Sequence, residues 1–113
     1  MPVNLQNAKH YTWGDGCDGW YLLETPKCTI IQERMQVGTA EMAHRHLRSR
    51  QFFYVLSGAA RMFHDGIVTD LRSHDGLEIP PGTVHQISNS GDTPLEIIVT
   101  SQPPSHGDRI DQR

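Results

Sequence analysis

Between Thr29 and Ser101 the chain is cut into short segments by turn chemistry: Ser57-Gly58, Asp65-Gly66, Asp75-Gly76 and Asn89-Ser90-Gly91-Asp92. Glycine and asparagine tolerate positive φ, so these pairs mark hairpins and tight turns between strands. Pro80-Pro81-Gly82 suits a type II turn, with Pro81 fixing φ and Gly82 taking the left-handed position. The pieces between turns are too short for amphipathic helices and read as strands at 29–35, 42–46, 51–56, 59–64, 67–71, 76–79, 84–88 and 95–101. Eight such strands are enough to fold over as a double sheet. The fold class expected is all-β.

The chain has 113 residues, enough for one core and too few for two. Its 36% hydrophobic residues are gathered into short runs rather than diluted, which favours a compact fold. A net charge of −3 with both signs interspersed provides no broad positive field for a nucleic-acid backbone, so no nucleic-acid partner is expected. No segment approaches the roughly 20 apolar residues needed to cross a bilayer, and MPVNLQNAKH lacks the pattern of a secretion signal. No membrane partner is expected, and the location expected is cytoplasmic. The only cysteines, Cys17 and Cys28, form no CxxC pair and are expected to be reduced.

Three regions follow: an N-terminal arm at 1–25, a barrel at 26–101 and a C-terminal tail at 102–113. The first nineteen residues are polar, and Gly14 to Gly19 reads as a loop because three glycines there oppose regular structure. It lacks the acidic order and closing glutamate of a calcium loop. Trp13, Trp20 and Tyr21 flank it as apolar anchors for a barrel end or a second subunit. The tail is polar, carries prolines and has no periodic apolar face, so it is expected to lie on the surface or fray.

His44 and His46 are one residue apart, and residues i and i+2 of a strand project from one face about 7 Å apart. Two imidazoles so placed can converge on one ion. Gln51 opens the next strand, and His85 follows the Pro-Pro-Gly turn, giving four candidate ligands.

The framing residues carry a family resemblance. Gly38, five residues, His44-Arg45-His46, four residues, Gln51, six residues and Gly58 resemble the first motif of the cupins, and Pro80, Gly82, His85 and Asn89 resemble the second. Two positions depart from the pattern: Gln51 stands where an acidic ligand is usual, and His74 where a turn glycine is usual. The resemblance implies an antiparallel double-stranded β-helix, or jelly-roll, barrel around one divalent transition metal, in a homodimer. Glutamine is a neutral oxygen donor, so the ion would keep one more positive charge than with glutamate. That disfavours Mn²⁺ relative to Fe²⁺, Ni²⁺, Cu²⁺ or Zn²⁺ and favours an anionic substrate in the open positions.

Alternation carries Phe53 and Val55 inward from Gln51, and Ile87 inward from His85, as pocket walls. Met62 and His64 share a face that can approach the metal's surroundings. On the strand before Gly38, Gln32 and Arg34 share one face while Ile31, Glu33 and Met35 share the other, and alternation leaves open which faces inward. An inward Arg34 would be a carboxylate clamp. No nucleophile motif or phosphate loop is present, so chemistry is expected to run through the metal. The function expected is a metal-dependent small-molecule enzyme, either a dioxygenase-type oxidoreductase or a lyase or isomerase, on a small oxygenated or anionic substrate. The alternative is a non-catalytic cupin that binds or senses a small ligand.

Overall fold

The structure is a computed structural model that describes residues 1–112. Eleven strands, β1 (Lys9–Trp13), β2 (Cys17–Glu24), β3 (Thr29–Met35), β4 (His44–Arg45), β5 (Arg50–Ser57), β6 (Ala60–His64), β7 (Ile67–Leu71), β8 (Gly76–Ile79), β9 (His85–Asn89), β10 (Leu95–Gln102) and β11 (Ile110–Asp111), form two sheets. The larger runs β1-β2-β3-β10-β5-β8 and the smaller β11-β4-β9-β6-β7, all paired antiparallel. This is the all-β double sheet expected from the turn spacing, in the jelly-roll form that the family resemblance implies. Among the described residues no helix is long and apolar enough to cross a membrane.

Directly opposed residues of a sheet share a face, so the register of the larger sheet sorts its side chains into rows. One row is Tyr11, Gly19, Glu33, Ile97 and Val55, and the next is Lys9, Tyr21, Ile31, Val99, Phe53 and Leu77. A third holds Glu24, Thr29, Ser101, Gln51 and Ile79. Val55 and Ile97 are fully buried against Met62 and Ile87 of the smaller sheet, which fixes these rows as the inward face. Glu33 therefore faces the barrel interior and Arg34 faces away.

Three local expectations need correction. The polar N-terminal stretch is not a loop through Gly19: only Gly14-Asp15-Gly16 lies outside the strands of a β1–β2 hairpin that extends the larger sheet, and Cys17 is fully buried. His10 is accordingly on a strand, with Nε2 2.8 Å from Asp18 Oδ1. The tail does not fray, since β11 pairs with β4 and Asp108 is buried. The strand expected over 42–46 shrinks to His44–Arg45, because Glu41 and its neighbours instead tie to β9 through Ile87.

His74 occupies the turn where the motif has glycine, and its φ of 75° is the left-handed conformation that glycine takes freely. Its N–H donates to the Val55 carbonyl at 2.8 Å and its ring nitrogen lies 3.1 Å from the Tyr54 hydroxyl, so the turn keeps its shape with a side chain present.

Candidate metal centre and its cavity

Strand pairing assembles the three histidines. His44 lies directly opposite His85 across β4 and β9, and His46 follows two residues on. All three are buried, and their ligating nitrogens lie within 4.8 Å of one another. The rings of His44 and His85 are 4.5 Å apart, and those of His44 and His46 4.8 Å.

The hydrogen bonds around the rings decide what they can do. The Nδ1 atoms of His44, His46 and His85 lie 2.7, 2.6 and 3.0 Å from the carbonyl oxygens of Met42, Asp108 and Thr83. A carbonyl only accepts, so in each neutral ring Nδ1 carries the hydrogen and Nε2 presents a bare lone pair. His46 Nε2 is buried without a partner. His85 Nε2 faces Gln51 Oε1 at 3.1 Å, where two acceptors meet, and Gln51 is held in that orientation by Nε2 donating to Ser101 Oγ at 3.0 Å. A buried acceptor left unpaired costs about 1–3 kcal/mol, and one cation in reach of all of them removes that penalty. The residues present thus fit a transition metal: three neutral imidazole nitrogens and one amide oxygen. Burial holds His44 neutral, with its pKa lowered to about 4 against the opposing pull of the Met42 carbonyl, and burial lowers His85 as well. Neutral imidazole is the ligating form.

The centre opens onto a cavity of about 940 Å³ lined by Tyr11, Glu33, Glu41, His44, His46 and Arg109 among others. Tyr11 Oη donates to Glu33 Oε2 at 2.9 Å, and burial pushes the Glu33 carboxyl up to about 7, against the lowering effect of that bond. Burial, and then the neighbouring Glu33, pushes Glu41 up to about 8, while its Oε1 accepts the Ile87 N–H at 3.1 Å. Burial likewise pushes the Tyr11 phenol up. Two carboxyl groups able to hold protons near neutrality therefore share a chamber with the imidazole cluster.

Tyr11 reaches Glu33 because the residue between them in the row is Gly19. A Cβ there would stand 2.2 Å from Tyr11 Cζ and 2.5 Å from its hydroxyl oxygen. Gly19→Ala is therefore expected to push the ring aside and to lose about 1 kcal/mol of unfolding free energy with the Tyr11–Glu33 bond. In a Tyr11→Ala background the same substitution should be nearly neutral, as chemical denaturation of the four proteins of the cycle would show; additive losses would contradict the close approach.

Of the pocket candidates, Phe53 lines the cavity, with its ring edge-on to His85 at 5.8 Å. Met62 and Ile87 are fully buried in the apolar core that backs the site. His64 is next to His85 in the ladder, but its Nε2 lies 2.8 Å from Thr69 Oγ1, away from the three-histidine group. Arg34 is on the outer face, where it ion-pairs with Glu96 and lies 5.0 Å from the Trp20 ring, so the cavity wall has no clamp at that position. Sequence reasoning did not reach Tyr11, Glu41, Asp108 and Arg109. Alternation of Lys9, Tyr11 and Trp13 could have signalled the first, whereas the others lie outside regular strands.

Comparison with known proteins places these features in context. The cupin domain family matches residues 31–101. An uncharacterized protein of Methanocaldococcus jannaschii is 35% identical over 83 residues, 73% of this chain, and the chain spans 66% of that protein's length. Among solved structures, a predicted oxalate decarboxylase from Thermotoga maritima superposes with a TM-score of 0.84 at 18% identity, covering 92% of this chain and all of that one. A cupin superfamily sugar phosphate isomerase from Silicibacter pomeroyi gives 0.77 at 19% identity, covering 90% and 75%.

Proposed function

Because the chain belongs to the cupin domain family, we propose that it is a metal-dependent enzyme that moves protons on a small, oxygenated, anionic organic substrate, as a lyase or isomerase does. The observation that carries this reading is the chamber lined by His44, His46 and Gln51 together with the Tyr11–Glu33 pair, with His85 joining the two histidines behind that lining. His44, His46, His85 and Gln51 would hold the ion. A bound divalent metal would act there as a Lewis acid that polarises a carbonyl or hydroxyl oxygen.

The chain's own residues supply the rest. Glu33, with a carboxyl that titrates near neutrality, gives or takes a proton as general acid or base, and the Tyr11 hydroxyl fixes its orientation. Glu41 provides a second proton-holding carboxyl. The neutral ligand set would leave the ion's two charges uncompensated, so an anion is favoured beside it, while Arg109 in the cavity lining is ion-paired with Asp111. Ile31, Phe53 and Val99 form an apolar strip that limits water. The two similar structures are named as a predicted oxalate decarboxylase and a sugar phosphate isomerase, one a lyase name and one an isomerase name, and the fold is what they share with this chain.

The test is elemental analysis of purified protein, followed by proton NMR in D₂O of the metal-loaded enzyme with a panel of 2-oxo and 2-hydroxy acids. The parent is expected to carry close to one transition metal per chain and to exchange or convert a panel member. Glu33→Gln should keep the metal and lose about 10²–10⁴-fold in rate. Oxygen consumption instead of exchange would replace this reading by a dioxygenase-type one. Tight ligand binding without any conversion would replace it by a binding module.

A further inference from the structure

His44 and His85 each donate Nδ1–H to a carbonyl two residues earlier in their own chain segment, Met42 and Thr83. His46 has no such local partner. Its Nδ1–H goes instead to the carbonyl of Asp108, 62 residues away, at 2.6 Å. The same Asp108 sends its carboxylate back to the loop that follows His46: Oδ1 accepts the Leu47 N–H, and Oδ2 accepts those of Arg48 and Ser49, each at 2.9 Å. One buried residue thus holds His46 through its main chain and the adjoining loop through its side chain.

We propose that Asp108 is a positioning residue of the metal centre, anchoring the C-terminal segment so that its own carbonyl fixes His46 in the tautomer that leaves Nε2 free for the ion. This rests on the metal-centre reading above. Other contacts share the anchoring: Ser49 Oγ donates to the Pro103 carbonyl at 2.7 Å, Gln112 N–H donates to the Ala43 carbonyl at 2.8 Å, and Ile110 and Asp111 pair with Arg45 and His44. The carboxylate is the densest of these ties, with three backbone N–H donors on its two oxygens. Without it the loop amides lose their acceptor and the segment its hold. The His46 ring is then free to exchange Nδ1–H for Nε2–H, a form that cannot ligate through Nε2.

The discriminating experiment combines a tautomer measurement on metal-free protein with cobalt binding. Long-range ¹⁵N–¹H spectra of the parent should show all three histidines as Nδ1–H. In Asp108→Ala, His46 alone should shift toward Nε2–H while His44 and His85 stay, and Co²⁺ affinity, read from visible absorption under chelator competition, should fall about 10–100-fold. Asp108→Asn keeps one acceptor oxygen and should fall in between; it also decides the question if the alanine variant does not fold. A lower melting temperature with His46 still Nδ1–H and Co²⁺ affinity within about twofold of the parent would reduce Asp108 to a structural cap and overturn the proposal. Failure of the parent to bind cobalt would instead overturn the metal-centre reading, while the His46 tautomer in the variants still decides the role of Asp108.

Discussion

Replacing His85 by alanine is expected to abolish stoichiometric metal binding while leaving the barrel folded. His85 is the middle member of the ladder, paired with His44 on one side and His64 on the other, and Gln51 also points at its Nε2. Structural zinc sites with four ligands bind with about 10–16 kcal/mol, so one ligand is worth roughly 3–4 kcal/mol, or some hundreds- to a thousandfold in affinity. Dialysed His85→Ala protein should therefore carry far less than one metal per chain. It should also lose the rise in melting temperature that added Zn²⁺ gives the parent, since stabilisation by a ligand follows its affinity for the folded state. The β9 backbone ladder does not involve the imidazole, so the metal-free melting temperatures of the two proteins should differ much less than the metal-loaded ones. Equal metal content in both would remove His85 from the centre. Gln51→Glu gives the converse result: a carboxylate in place of the amide oxygen restores negative charge, and Mn²⁺ should gain affinity relative to Zn²⁺.

The histidine cluster was legible in the sequence because its information is local. His44-x-His46 at the end of one short strand, and Pro80, Gly82 and His85 around one turn, specify direction within a few residues, and the ladder then needs only to bring β4 beside β9. The rest of the site was not legible for three separate physical reasons. Glu33 and Arg34 are adjacent and both charged, so alternation supplies two faces without saying which is inside; pairing of Glu33 with Ile97, and through it with Val55, decides that. Gly19 reads as a loop residue by conformational entropy, whereas its use here is to let the Tyr11 ring pass over the sheet. Asp108 sits in a segment with no periodicity, and its value lies in three backbone amides 59 to 61 residues away. Side-chain capping of a distant loop leaves no pattern in composition or spacing.

The two raised carboxyls, Glu33 and Glu41, give a pH signature whose sign is fixed by the direction of their shifts. Glu41 titrates at about 8 in the folded protein against a usual value of 4.5. A carboxyl raised on folding contributes its full stability below the unfolded value, and that contribution is lost as pH rises through the folded one. In chelator, the parent should therefore weaken between about pH 4.5 and 8 from this group. His44, lowered to about 4, acts in the opposite direction between about pH 4 and 6.5. It is present equally in a Glu41→Gln variant, so the difference between the two proteins isolates Glu41. Glutamine keeps an oxygen for the Ile87 N–H, and the two should be similarly stable at pH 5. By pH 9 the variant should be the more stable by about 2 kcal/mol, less than the full shift would give at 1.36 kcal/mol per pH unit because Glu41 is only partly shielded from water. Urea unfolding of both proteins at pH 5, 7 and 9 measures the gap. A gap that does not widen with pH would mean that Glu41 is ionised throughout, and the chamber would then hold one fewer proton for the chemistry proposed for it.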